Sequence, residues 1–217
     1  ATVKSSFDAL VGHEVLIEGY GLTETSPLTH ANPVHRAKPG SIGIPLPDTD
    51  AKVVDTESGD DLPVGEAGEL LIRGPQVMKA YWKQPEESAE ALAGGWFRTG
   101  DIAQMDAEGY FSIVDRKKDL INRAGYKIWP REVEEVIYSH PAVRLVGVVG
   151  QPDDYWGEVV KACIVLKEDQ RDRVAECDIV AFCKQHLVGY KVPGIIEFRD
   201  ELPLSATGKM YRRLLKE

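Results

Sequence analysis

The chain has 217 residues, 43% hydrophobic and 28% charged, enough to bury a core in one domain or two. A formal charge of −9 argues against a general nucleic-acid binder, because phosphate affinity depends on a basic surface. No apolar run is long enough to span a bilayer, no signal-peptide pattern is present, and three cysteines without CxxC spacing suggest neither a disulfide framework nor a zinc site, so a reducing, cytoplasmic setting fits best.

The chain opens at Ala1 without an initiator methionine, as a fragment or a processed protein would. Residues 13–18 form a short apolar run ending in Gly19, which predicts a buried strand that delivers the turn Gly19-Tyr20-Gly21 at its C-terminal end. His30 and His35 lie close together with no cysteine or acidic motif to complete a ligand set, and read as surface loop residues. Between Gly40 and Asp115 the pattern shifts to short strands, over residues 51–55, 68–73 and 110–114, separated by Gly, Pro and Asp clusters: a small antiparallel barrel or sheet. One helix interrupts it, with Pro85 in its first turn and acidic residues where the dipole favours them.

Past Asp115 the rhythm is α+β. Pro130 opens a helix with an apolar stripe of Val133, Val136 and Ile137, and Pro141 closes it. Residues 143–149 and 159–166 read as buried strands, residues 174–187 as a second helix, and residues 195–198 as a third strand, together a two-layer module. The run Asp115-Arg116-Lys117-Lys118-Asp119 falls where the composition shifts. A charged linker with few apolar anchors reads either as a solvated turn or as a hinge.

Two motifs carry chemistry. Gly19-Tyr20-Gly21-Leu22-Thr23-Glu24 brings together an aromatic face, two flexible glycines, a hydroxyl and a carboxylate, an inventory suited to a nucleotide and its magnesium. Ser205-Ala206-Thr207-Gly208-Lys209 places a long-stemmed ammonium behind a glycine, within reach of a phosphate. Either alone is ordinary punctuation; their joint presence points to carboxylate activation by ATP.

These motifs, with Gly40-Ser41-Ile42-Gly43, Gly68-Glu69-Leu70, Thr99-Gly100-Asp101, the Asp115–Asp119 run, and residues 125–130 with Glu132, occur in an order that resembles the C-terminal part of the adenylate-forming superfamily. That superfamily contains acyl-CoA synthetases, firefly luciferase and peptide-synthetase adenylation domains. Gly74-Pro75-Gln76-Val77-Met78, Gly189-Tyr190-Lys191-Val192-Pro193 and residues 197–203 are similar to bacterial long-chain fatty-acid CoA ligases in particular. The family's Ser/Thr/Gly-rich phosphate loop and most of its acyl pocket have no counterpart here, so activity of this chain alone is expected to be incomplete.

The resemblance implies an α+β, multi-domain architecture: the end of a large, β-barrel-like nucleotide-binding domain over residues 1–115, then a small mobile α+β domain over residues 116–217, hinged near 115–119. It implies that Tyr20 stacks on adenine, that Gly19 and Gly21 let the backbone approach, that Thr23 contacts phosphate and that Glu24 holds magnesium. Asp101 and Arg116 would take the ribose and Ile113 would pack on the nucleoside. Lys118 matches the hinge, Gly125 and Tyr126 the loop lining the pantetheine tunnel, and Lys209 the catalytic lysine. The family often has a second glycine where Ala124 stands. The implied cofactors are ATP, Mg and CoA, and the implied partners a fatty acid substrate, ATP and CoA, with no nucleic acid. A cytoplasmic location leaves room for peripheral membrane contact. Two other readings remain: a noncatalytic nucleotide- or protein-binding module, and an adenylation enzyme that hands acyl groups to a carrier protein.

Overall fold

In the computed structural model, which describes residues 2–12, 16–171, 173–206, 208 and 210–216, the chain divides into two units, residues 1–117 and 118–217. A helix, α1 (Thr2–Val11), begins the first unit where the sequence pattern gives no element. The strand expected over residues 13–18 is not what the structure has. Residues 13–15 lie outside the described residues, residues 16–18 carry no regular structure, and Leu16 and Ile17 are exposed. Ladder pairing starts only at β1 (Gly19–Tyr20), which lies antiparallel to β2 (His30–Ala31), itself followed by β3 (Ile44–Pro45). An apolar run becomes a strand only where a neighbour accepts its backbone bonds.

The rest of the first unit is a four-stranded antiparallel sheet in the order β4 (Asp50–Val54), β5 (Ala67–Arg73), β6 (Phe97–Met105) and β7 (Phe111–Arg116). Val53, Leu70, Ile72, Ala103 and Phe111 form its core. Helix α2 (Pro85–Ala91) starts at the predicted proline, whose fixed φ suits a first helical turn. The sequence reading did not find β6. Its alternation is broken by Gly100 at φ 69° and by a register shift between Ile102 and Ala103.

The second unit is built on a five-stranded sheet. A hairpin of β8 (Ile121–Arg123) and β9 (Tyr126–Ile128) leads into α3 (Pro130–Tyr138), then come the long strands β10 (Val143–Asp153) and β11 (Gly157–Leu166), α4 (Glu176–His186) and β12 (Ile195–Phe198), which runs parallel to β11. β10 and β11 read as nearly continuous apolar runs because both faces of the sheet are covered. Alternate residues point opposite ways. Val146, Val148, Val160, Ala162 and Ile164 pack with Val133 and Ile137 of α3 and Ile179 and Cys183 of α4. Val149, Cys163 and Val165 instead pack with Leu202, Met210 and Leu215 of the C-terminal segment. A side chain at Gly147 would come within 2.6 Å of the Leu215 side chain, so this glycine makes the seat for that segment. Among the described residues no helix is long and apolar enough to cross a membrane.

Candidate functional site

Tyr20 is fixed from behind. It faces His30 in the β1–β2 pair, and its carbonyl accepts hydrogen bonds from the Thr29 amide at 2.9 Å and the Thr29 hydroxyl at 3.3 Å. The next residue can only be glycine, because a Cβ on Gly21 would lie 1.6 Å from the Pro27 carbonyl oxygen. At Gly19 a Cβ would press on Leu28 and the His30 carbonyl at 3.2 and 3.3 Å. Both glycines thus serve the chain's own tight return, a constraint independent of any ligand.

His30 departs from its surface reading. It is fully buried, edge-on to Phe111 with ring centroids 4.9 Å apart, and bonded through Nδ1 to the Thr29 hydroxyl at 2.9 Å. Burial pushes its pKa down to about 4, so the ring is neutral near pH 7. Loop-like local sequence concealed this, since the cover comes from β7. His35 is exposed, as expected.

Asp101 lies on β6 directly opposite Arg116 on β7. The carboxylate is nearly buried, accepts the Tyr20 hydroxyl at 2.5 Å on Oδ2, and faces Arg116 Nε at 3.6 Å through Oδ1. Burial first, and the Asp101 charge second, push the Tyr20 phenol well above its ordinary value, which keeps it a hydrogen-bond donor. Thr99, which sequence reasoning gave no role, organises the turn: its hydroxyl donates to the Leu70 carbonyl at 2.8 Å and accepts the Asp101 amide at 3.1 Å. Ile113, like Tyr20 and Ile42, packs against the sheet core. Residues 20, 101 and 116, distant in sequence, thus meet in the first unit.

Glu24 sits in a single 3-10 turn (Thr23–Thr25) braced by Thr25, whose hydroxyl donates to the Leu22 carbonyl at 3.0 Å. Thr23 is exposed. The Glu24 carboxylate accepts the Tyr81 hydroxyl at 3.1 Å, and its carbonyl accepts the Met78 amide at 2.8 Å. Tyr81 went unnoticed in the sequence, where it is one aromatic in a loop. Among the described residues no group of three or more His, Cys, Asp or Glu could hold a metal. A lone, hydrogen-bonded carboxylate is the kind of donor that suits magnesium, an ion that takes one or two carboxylates and fills its other positions with water and phosphate.

In the second unit, Gly125 and Tyr126 form the tip and first strand residue of the β8–β9 hairpin. Gly125 has φ 87°, and its amide is held by Asn122 Oδ1 at 2.9 Å. Ala124 also has a left-handed φ, 49°, a conformation that glycine adopts without strain. Tyr126 stacks on Tyr190, centroids 4.6 Å apart, beside a recess of about 330 Å³ lined also by Arg123, Trp156 and Gly189. The Arg123 guanidinium lies 5.0 Å from the Trp156 ring centroid and donates to the Tyr190 carbonyl at 3.0 Å. Lys118 is exposed, in a 3-10 turn (Lys117–Asp119). Lys209 lies outside the described residues. Around it the chain is closed by a bridge between Leu204 and Met210 and by the Tyr211 amide donating to the Pro203 carbonyl at 2.9 Å.

The family model of the AMP-binding enzyme matches residues 1–82, and that of the AMP-binding enzyme C-terminal domain matches residues 132–209. The chain belongs to the AMP-binding enzymes. It is 51% identical over 216 residues to a long-chain-fatty-acid–CoA ligase of Bacillus subtilis and 47% identical over 205 residues to one of Escherichia coli, covering 99% and 94% of this chain. It spans 38% and 36% of those relatives' lengths. Among solved structures, ATP-bound MatB from Rhodopseudomonas palustris superposes with a TM-score of 0.90 at 33% identity, over 99% of this chain and 42% of that one. This AMP-binding chain therefore has the α+β architecture of the adenylate-forming fold.

Proposed function

We propose that this chain is the nucleotide-gripping and mobile part of an ATP-dependent acyl-CoA synthetase acting on long-chain fatty acids. The observation that carries the reading is the convergence of Tyr20, Asp101 and Arg116, a flat ring, a two-oxygen acceptor and a cation, with Ile113 packed on the core of the same sheet. Those are the groups an adenosine moiety needs for stacking, ribose hydrogen bonds and charge balance. The names of the Bacillus subtilis and Escherichia coli relatives supply the acyl class.

In the first half-reaction a fatty carboxylate attacks the α-phosphorus of ATP, a P–O bond forms, and pyrophosphate leaves. Bound magnesium would neutralise phosphate charge. Glu24 is the residue that would hold it, with Tyr81 aiming the carboxylate. Tyr20 and Asp101 orient the nucleoside, Thr23 meets phosphate, and Lys209 offers an ammonium to the reacting oxygens. In the second half-reaction the CoA sulfur attacks the acyl carbon, AMP leaves with the bonding electrons, and the thiol proton is lost to solvent. Gly125 and Tyr126 then flank the pantetheine arm, after residues 118–217 pivot at Lys118 and carry Lys209 away. In this reading the two domains part within the charged run, the first extending to residue 117 and not ending at 115, and any membrane contact is peripheral.

Lys209→Ala in the full-length enzyme tests the reading. Adenylation, followed by pyrophosphate release with fatty acids of graded length, should collapse, while thioester formation from supplied acyl-adenylate is largely spared. Equal loss in both halves removes Lys209 from its role, and transfer to a carrier protein but not to CoA moves the activity to the other adenylating class.

A further inference from the structure

The charged run at 115–119 places two ion-pair anchors on either side of one residue. Lys117 Nζ lies 2.9 Å from Glu69 Oε2, and Arg98 Nη1 reaches the same oxygen at 2.9 Å. Glu69 is on β5 in the middle of the first unit's sheet, and its side chain is only 3% exposed. On the other side Asp119 Oδ2 takes Arg212 Nη1 at 3.0 Å. Arg212 also grips Glu134 of α3 with Nη2 at 2.7 Å and Nε at 3.3 Å, and Glu134 in turn accepts the Val148 amide of β10 at 2.9 Å. Between them Lys118 is exposed and, among the described residues, has no ion-pair partner.

We infer that Glu69 with Lys117, and Arg212 with Asp119, are positioning pairs that confine the pivot to Lys118. The inference rests on the alternation of half-reactions proposed above. A buried carboxylate holds its cations because their removal leaves charge uncompensated in a poorly solvated place. Lys117 therefore stays with the first unit through Glu69, and Asp119 stays with the second through Arg212, Glu134 and β10. The dihedral change of any domain rotation is then forced into the bonds flanking the one residue without an anchor. Arg212 also lies three residues beyond Lys209, so the same clamp holds the stem of the lysine loop.

The test uses the full-length enzyme and variants that leave each deeper partner compensated. In Lys117→Gln, Glu69 keeps Arg98, and in Asp119→Asn, Arg212 keeps Glu134. Lys118→Pro alone should slow CoA ligation selectively, since proline fixes its own φ and restricts the preceding residue. Adding Lys117→Gln and Asp119→Asn should recover ligation by about tenfold, because the rotation can spread into residues 119 and 120. In the double variant without proline, amide hydrogen exchange at residues 117–120 should quicken. Failure of Lys118→Pro to discriminate between the half-reactions sinks the alternation itself. A selective Lys118→Pro defect that the added substitutions do not relieve, or unchanged exchange in the double variant, overturns the anchor assignment.

Discussion

Tyr20 gives its hydroxyl hydrogen to Asp101 at 2.5 Å across 81 residues of chain. The bond joins the first strand pair to the four-stranded sheet and sets the ring's plane before any ligand arrives. Tyr20→Phe keeps the ring and removes the donor, leaving a nearly buried carboxylate with fewer partners. The expected loss of stability is about 2 kcal/mol, read from urea unfolding. In the full-length enzyme Asp101→Ala should raise the ATP KM far more than Tyr20→Phe does. The reverse order would mean that the carboxylate serves the fold and not the ribose.

His30 makes acid sensitivity a property of the same wall. Its folded pKa, about 4, lies below the ordinary 6.5. Above 6.5 both folded and unfolded forms are neutral and the contribution is fully present. As pH falls through 6.5 toward 4 the unfolded chain takes the proton first, and stability declines by up to about 3 kcal/mol. His30→Phe, with no proton to take, should flatten that part of the curve of urea midpoint against pH. Parallel curves for the two proteins would place the sensitivity elsewhere.

Magnesium dependence should separate Glu24 from its support. Glu24→Ala in the full-length enzyme is expected to raise the half-saturating magnesium concentration steeply. Tyr81→Phe, which only frees the carboxylate to rotate, should raise it by up to about tenfold. A titration of adenylation rate against magnesium distinguishes them, and indifference in both variants would remove the metal from this turn.

Ala124 tests the hairpin that would face pantetheine. At φ 49° an alanine is strained and a β-branched residue more so. Ala124→Gly should leave stability within about 1 kcal/mol of the parent, relief of strain offsetting the freer unfolded chain, whereas Ala124→Val should cost about 2 kcal/mol. Thermal melts decide between them. If valine is tolerated as well as glycine, the positive φ does not persist in solution.

The parts of this architecture that were legible in sequence are those where one local rule dominates. Pro85 and Pro130 mark helix starts, and the valine-rich runs at 143–149 and 159–166 become β10 and β11. The β8–β9 hairpin was not legible, because its strands have three residues each, too few for a period to show, and carry Asn122, Arg123 and Lys127. His30 and Glu69 escaped for a related reason: each is buried by strands distant in sequence, and no local pattern records that cover. The roles of Tyr20, Asp101 and Arg116 came from family resemblance. Their contact is tertiary and cannot be read from spacing.

The C-terminal segment seated over β11 also turns the chain's thiols into a clock. Cys177 on α4 stands exposed and should react with a maleimide at once. Cys183 sits on the buried face of the same helix, its pKa pushed up to about 11 by burial, and waits for the helix to lift. Cys163 is shut under Leu215, whose carbonyl lies 3.8 Å from its sulfur, so its alkylation dates the departure of the C-terminal strap around Leu215. Mass-resolved labelling of three native cysteines would thus time the release of that strap without a single engineered probe.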